Sequence, residues 1–131
     1  MMSDGDKRPN IVMIVADDHG REAVGCYGNP IVSTPNIDRL ADSGVRFANA
    51  FCTTASCSAS RSVILTGLHD HTNRTYGLIH DPHHFSMSSR IQTLPAQMKR
   101  AGYRTGRMGK KHYRPEKLVA NGISTGARAT R

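Results

Sequence analysis

Cys57 and Arg61 stand four residues apart in Ser56-Cys57-Ser58-Ala59-Ser60-Arg61-Ser62-Val63-Ile64-Leu65-Thr66-Gly67. The small polar residues before Cys57 cannot build a core, whereas Val63, Ile64 and Leu65 can. Gly67 is a natural stop for a short helix running from about Ser58. Cys57 then sits at the helix N-terminus, where unpaired N–H groups and the helix dipole attract an anion. Arg61 follows one turn later on the same face, so its guanidinium reaches whatever position 57 holds. A nucleophile, an anion-binding helix end and a fork of donors suit a tetrahedral oxyanion such as sulfate or phosphate.

Two other clusters carry possible chemistry. Asp17 and Asp18 follow the apolar run Asn10-Ile11-Val12-Met13-Ile14-Val15-Ala16. That β-branched run suits a strand buried on both faces of a parallel sheet. Ligands of open α/β sheets bind beyond the carboxyl ends of strands. Adjacent carboxylates repel there, and a hard cation, Ca2+ or Mg2+, relieves the repulsion. A turn with one capping and one solvated aspartate explains the pair equally well. Lys110 and His112, in Gly109-Lys110-Lys111-His112, follow a strand expected over Tyr103–Met108. On extended backbone, residues two apart point to the same side. Alone, Lys-Lys-His reads as a charged loop.

The elements that must position these groups alternate between strand and helix, as in βαβ units. Ser33–Gly44 reads as a helix with Thr34 at the N-cap, Pro35 in the first position and Gly44 at its end, facing the core with Ile37, Leu40 and Ala41. Val45–Phe51 alternates as a second strand. Thr93–Gly102 is a helix capped by Thr93. Glu22–Pro30 is a glycine-rich loop. Six of the seven histidines lie between His69 and His112, five of them within His69–Phe85. Their spacing fits no zinc motif and suggests a polar rim around a site, with His19 a surface turn residue.

Three landmarks together resemble the sulfatase family: Asp17-Asp18 after the first strand, Cys57-x-Ala59-Ser60-Arg61 before an apolar run and Thr66-Gly67, and Gly109-Lys110-x-His112. The commonest family motif has proline where this chain has Ala59. Leu65-Thr66-Gly67-Leu68-x-x-His71-x-Asn73, Tyr76-Gly77-Leu78, Asp81-x-His83-His84-Phe85 and Lys111 resemble the sulfamidase (heparan N-sulfatase) branch. The resemblance implies the N-terminal part of an alkaline-phosphatase-like α/β domain, a mostly parallel sheet flanked by helices. It implies conversion of Cys57 to formylglycine by a sulfatase-maturing enzyme, and a Ca2+ (or Mg2+) ion on Asp17, Asp18 and position 57. Arg61, Lys110 and His112 become catalytic residues acting on a sulfated small molecule or glycan. Two carboxylates and position 57 supply too few oxygens for a calcium site of about 6–8 ligands, and the family's further ligands lie downstream of the matched stretch. The resemblance therefore implies a sulfatase fragment, inactive or weak alone.

Composition narrows the alternatives. A chain of 131 residues with 37% hydrophobic and 21% charged residues suits one folded domain. No apolar run approaches the ~20 residues of a membrane span. Met1–Pro9 has no apolar leader, which points to a cytoplasmic chain. Cys26, Cys52 and Cys57 fit no zinc or disulfide framework, leaving Cys26 and Cys52 as near-core residues. A thiol phosphatase needs its arginine six positions after the cysteine, where Val63 stands. The net charge of +8 gathers at the end: residues 99–131 carry ten Lys/Arg against Glu116 alone. A solvated tail explains this better than a nucleic-acid module, since aromatic interleaving and a basic helix are lacking. The expected layout is a flexible 1–8, a partial catalytic domain over 9–116, and a disordered tail over 117–131. The competing functions are a phosphoesterase or phosphonate hydrolase of the same superfamily, and a non-catalytic binder of anionic glycans.

Overall fold

The computed structural model describes residues 8–113 and the backbone of Ser124–Thr125. The expectations for residues 1–7, and for the tail apart from that dipeptide, lie outside the described residues. The chain divides into two compact units, 1–48 and 49–131.

In the first unit the expected helix is α1, Pro35–Ser43, with Thr34 at the N-cap and Pro35 in the first turn. The Thr34 hydroxyl makes no capping bond. It donates instead to Asp38 Oδ1 (2.9 Å) and accepts the Gly25 N–H (2.8 Å). Asp38 Oδ1 also accepts the Cys26 N–H at 2.7 Å, so α1 holds the 3-10 turn Gly25–Tyr27 by polar contacts. A Cβ on Gly25 would stand 2.6 Å from Asp38 Oδ2, which is why glycine occupies that position. Tyr27 OH donates to Phe47 O at 2.8 Å, and Arg46 donates to Cys26 O. Asn29 Oδ1 accepts the N–H groups of Ile31 (2.8 Å) and Val32 (2.7 Å), turning the chain toward α1.

Three expectations for this part of the chain fail. Ile37 and Leu40 do not face a core: they are 43% and 66% exposed. The run Asn10–Ala16 forms no strand, and Val12 and Ile14 are 81% and 85% exposed. A strand of a parallel sheet needs neighbours to pair both rows of backbone groups and helices to cover both faces. The described residues supply neither, so the run forms no ladder and stays bare. Val45–Phe51 forms no strand for the same reason, with Val45 81% exposed.

The second unit is built around α2, Cys57–Thr66, which ends at Gly67 in left-handed conformation (φ 67°) with its N–H on Val63 O at 2.8 Å. Its buried face is polar and small: Ser58, Ala59 and Ser62 are fully covered, while Ile64 stays exposed. This corrects the expectation that Val63, Ile64 and Leu65 form the core side. The short helix α3, Asp70–Asn73, packs on α2 and contributes Asn73. Asn73 Oδ1 accepts Ser62 Oγ–H (3.1 Å) and the Thr75 N–H (2.9 Å), and its amide donates to Leu68 O (3.2 Å). Met87 and Tyr113 are the large apolar members of this core. Helix α4, Leu94–Arg100, follows buried Thr93, which makes no capping bond. Cys52 is exposed, and only Cys26, half-buried in the first unit, fits the near-core expectation. The third expected strand shrinks to β1, Gly106–Arg107, parallel to β2, Ser124–Thr125, with Gly106 opposite Ser124. Among the described residues this is the whole of the sheet. No helix among them is long and apolar enough to cross a membrane.

Candidate active site

Helix α2 places Cys57 in its first turn, after Ser56 in extended conformation. The thiol is free and half-buried. The first helical bond runs from Ser60 N–H to Ser56 O at 2.7 Å. Ala59 therefore lies ahead of that bond, at a position whose N–H has no partner within the helix. A proline there would remove no bond of the helix ladder, but it would disfavour the helical conformation of Ser58 before it. Arg61 lies one turn on, half-buried and engaged by neighbouring groups.

Lys110 reaches this helix end. Its Nζ stands 3.8 Å from Cys57 Sγ, across 53 positions of chain. Gly109, at φ 79°, makes the turn that brings the lysine round after β1. The expectation that Lys110 and His112 share one side of extended backbone is not met, because His112 is left-handed at φ 42°. His112 instead stacks on His80, with ring centroids 5.1 Å apart and planes within 12°. The loop carrying His80 is anchored to α2, since the Ile79 N–H donates to Ser58 Oγ at 3.3 Å. Ser58 itself is fully buried. Next to His112, burial of the Tyr113 phenol raises its pKa above the ordinary value, against a smaller lowering by Arg107.

Sequence reasoning missed His80 and Ser58 as parts of this neighbourhood. Histidine density between residues 69 and 84 was the available signal, but it does not single out His80. The other histidines of the segment pair locally: His69 stacks on His71, and His84 Nε2 meets Asp81 Oδ1 at 2.6 Å.

Asp17 and Asp18 belong to the first unit. They form an exposed bend after the apolar run, with Asp18 left-handed at φ 51°. Two adjacent, solvent-facing carboxylates are hard oxygen donors of the kind Ca2+ and Mg2+ take. His19 is exposed and turns back to Ala23 O at 3.1 Å, as a surface turn residue does.

The arrangement in the second unit is a nucleophile position at a helix start with a cation against it. Comparisons with known proteins bear on what it serves. Human N-sulphoglucosamine sulphohydrolase is 46% identical over 107 residues, covering 82% of this chain and 21% of that protein. An N-acetylglucosamine-6-O-sulfatase of Bacteroides thetaiotaomicron is 41% identical over 106 residues, covering 81% of this chain and 18% of that protein. A solved bacterial sulfatase chain, described under the metabolism of multiple glycosaminoglycans by Bacteroides thetaiotaomicron, superposes with a TM-score of 0.68 at 41% identity. It covers 80% of this chain and 22% of that one. The chain thus spans about a fifth of the length of the curated relatives it matches. The sulfatase family model matches residues 9–120, and the chain belongs to the sulfatase family.

Proposed function

We propose that this chain carries the N-terminal share of an active site that hydrolyses sulfate esters or sulfamates. The observation that carries the reading is the Lys110 ammonium at 3.8 Å from Cys57 Sγ, at the start of α2. Nothing in a bland surface loop calls for a lysine from so far along the chain against a helix-terminal thiol. The human and Bacteroides relatives, named for an N-sulfated and a 6-O-sulfated amino sugar, support sulfated glycans as the substrate class.

By the resemblance of the motifs, Asp17, Asp18 and converted position 57 are the ligands we assign to a Ca2+ or Mg2+ ion. The formylglycine made from Cys57 by a maturing enzyme would supply a hydrated aldehyde as nucleophile, and the cation would offset negative charge. The half-buried thiol in the first turn of α2 is compatible with that conversion. The chain's own residues supply the rest. Arg61 and Lys110 hold the sulfate oxygens and stabilise charge that develops on them. The first-turn N–H groups of α2 add partial positive charge. His112 moves a proton at the nucleophilic oxygen. We further assign Asn10–Ala16 and Val45–Phe51 as strands of the family's mostly parallel sheet in a protein of its relatives' length, where their bare apolar side chains would be covered.

The test is co-expression with a sulfatase-maturing enzyme, followed by the mass of the peptide holding position 57 and by sulfate release. Conversion at Cys57 is expected in this chain, and turnover of a sulfate ester or N-sulfated amino sugar, abolished by Cys57→Ala, is expected in a protein of its relatives' length that carries this segment. An unconverted thiol would sink the reading. Faster turnover of the matching phosphate ester would move it to phosphoesterase chemistry.

A further inference from the structure

We propose that His80 is a positioning residue for His112, held in place through the bond between Ile79 and Ser58. The inference rests on the role given to His112 above, but its evidence is separate.

His112 carries a left-handed backbone, φ 42°. A non-glycine residue in that region is strained and stays there only when its surroundings over-determine it. The surroundings here include one flat contact, the His80 ring, stacked at 5.1 Å with planes within 12°. That separation lies in the range where aromatic pairs attract. His80 is itself exposed, with its ring Nδ1 3.2 Å from the adjoining Asp81 O, and its backbone also bears on its placement. The preceding residue anchors that backbone, as the Ile79 N–H donates to the buried Ser58 hydroxyl at 3.3 Å. Ser58 directly follows Cys57 on α2.

The contacts close a circuit. From Cys57 the chain passes to Ser58, whose hydroxyl holds Ile79. His80 then stacks on His112, and Lys110, two residues before His112, returns to Cys57 Sγ at 3.8 Å. The nucleophile position and the proton-moving imidazole are therefore linked through the His80 ring. Groups of an active site function when their rotamers are locked by supporting packing and hydrogen bonds.

The experiment is NMR of the imidazole protons in the 131-residue chain, with His112 assigned by its loss in His112→Gln. A nuclear Overhauser contact between the rings of His80 and His112 is expected. In His80→Ala the His112 ring protons should move downfield, because a stacked ring shields them, while His80→Phe should keep them upfield. Ser58→Ala should shift them in the same direction as His80→Ala. Absence of the contact in the unmutated chain overturns the proposal. So do His112 resonances unmoved in His80→Ala with the remaining spectrum unchanged. Because the readout needs no turnover, a chain that releases no sulfate would bear on the catalytic reading alone. In converted, active protein, His80→Ala should lower kcat with KM little changed, with rescue by His80→Phe.

Discussion

The Lys110 ammonium stands 3.8 Å from Cys57 Sγ although 53 positions separate the two residues. Closing so long a loop onto one contact costs chain entropy that a lone exposed lysine–thiol contact does not repay. The surrounding packing must fix both ends. α2 does this for Cys57 through its buried face, and the Gly109 turn with buried Tyr113 does it for Lys110.

From that geometry Lys110→Ala should lower sulfate release by about 10²–10³-fold in kcat, the usual loss when one preorganised donor to a developing oxyanion is removed. The neighbouring Lys111 projects elsewhere, with its Nζ 5.9 Å from the centre of the Tyr113 ring. Lys111→Ala should change kcat far less. Equal losses in the two variants, measured in steady-state assays on converted protein, would show that bulk positive charge and not the Cys57 contact is at work.

Gly67 ends α2 with φ 67°, and a Cβ there would meet nothing within 4 Å. Gly67→Ala therefore pays only the backbone term, about 1 kcal/mol for placing a Cβ in left-handed conformation. Gly67→Asn should lose less, since asparagine tolerates that region. Urea unfolding midpoints of the three chains give the order directly; an alanine variant as stable as the parent would contradict it.

What could be read in the sequence divides by the range of the interaction concerned. Helices α1 and α2 were legible because their signals are local: Pro35 in a first turn, Gly44 and Gly67 just past the ends. The strands expected over 10–16 and 45–51 do not form here, since an apolar β-branched run states a preference that only partner strands can realise. The buried side of α2 is not legible in the sequence, because Val63, Ile64 and Leu65 are the residues with the apolar surface to build a core. The residues actually covered are Ser58, Ala59 and Ser62, small enough for close approach of α3, with the Ser62 hydroxyl on Asn73 and the Ser58 hydroxyl on the Ile79 N–H. Lys110 was assigned by motif resemblance, and no periodicity would have linked it to Cys57. His80 carried no local signature, because stacking between residues 80 and 112 exists only once the chain has folded.

That polar core yields a further expectation. Asn73 is fully buried and serves Ser62, Thr75 and Leu68 at once. Asn73→Ala would remove the bonds to Ser62, Thr75 and Leu68 from a covered site, although the Thr75 N–H keeps Asp70 O at 3.1 Å. At about 1 kcal/mol for each hydrogen bond lost, the loss should be seen as a lowered urea midpoint. Ser62→Ala should cost less, since the hydroxyl lost there is a donor shared between Ala59 O at 2.7 Å and Asn73. The reverse order would mean that the Asn73 bonds are not what holds α3 to α2.

Tyr113 gives the stability of the second unit a dependence on alkaline pH. Burial raises the pKa of its phenol above the ordinary 10.0, with Arg107 opposing. The protonated phenol is thus bound more tightly in the folded than in the unfolded chain. The stability this confers is complete below pH 10.0 and is lost as pH climbs through the folded value above it. Lysines titrate in the same range, so the profile of the parent chain alone would not isolate the tyrosine. The difference between parent and Tyr113→Phe does: it should be flat below pH 10 and then turn against the parent. Arg107→Ala, by removing the opposing charge, should steepen the parent's fall. Denaturation midpoints from pH 8 upward provide the measurement, and a difference curve that stays flat throughout would mean that the folded protein does not hold the phenol's proton more tightly than the unfolded chain.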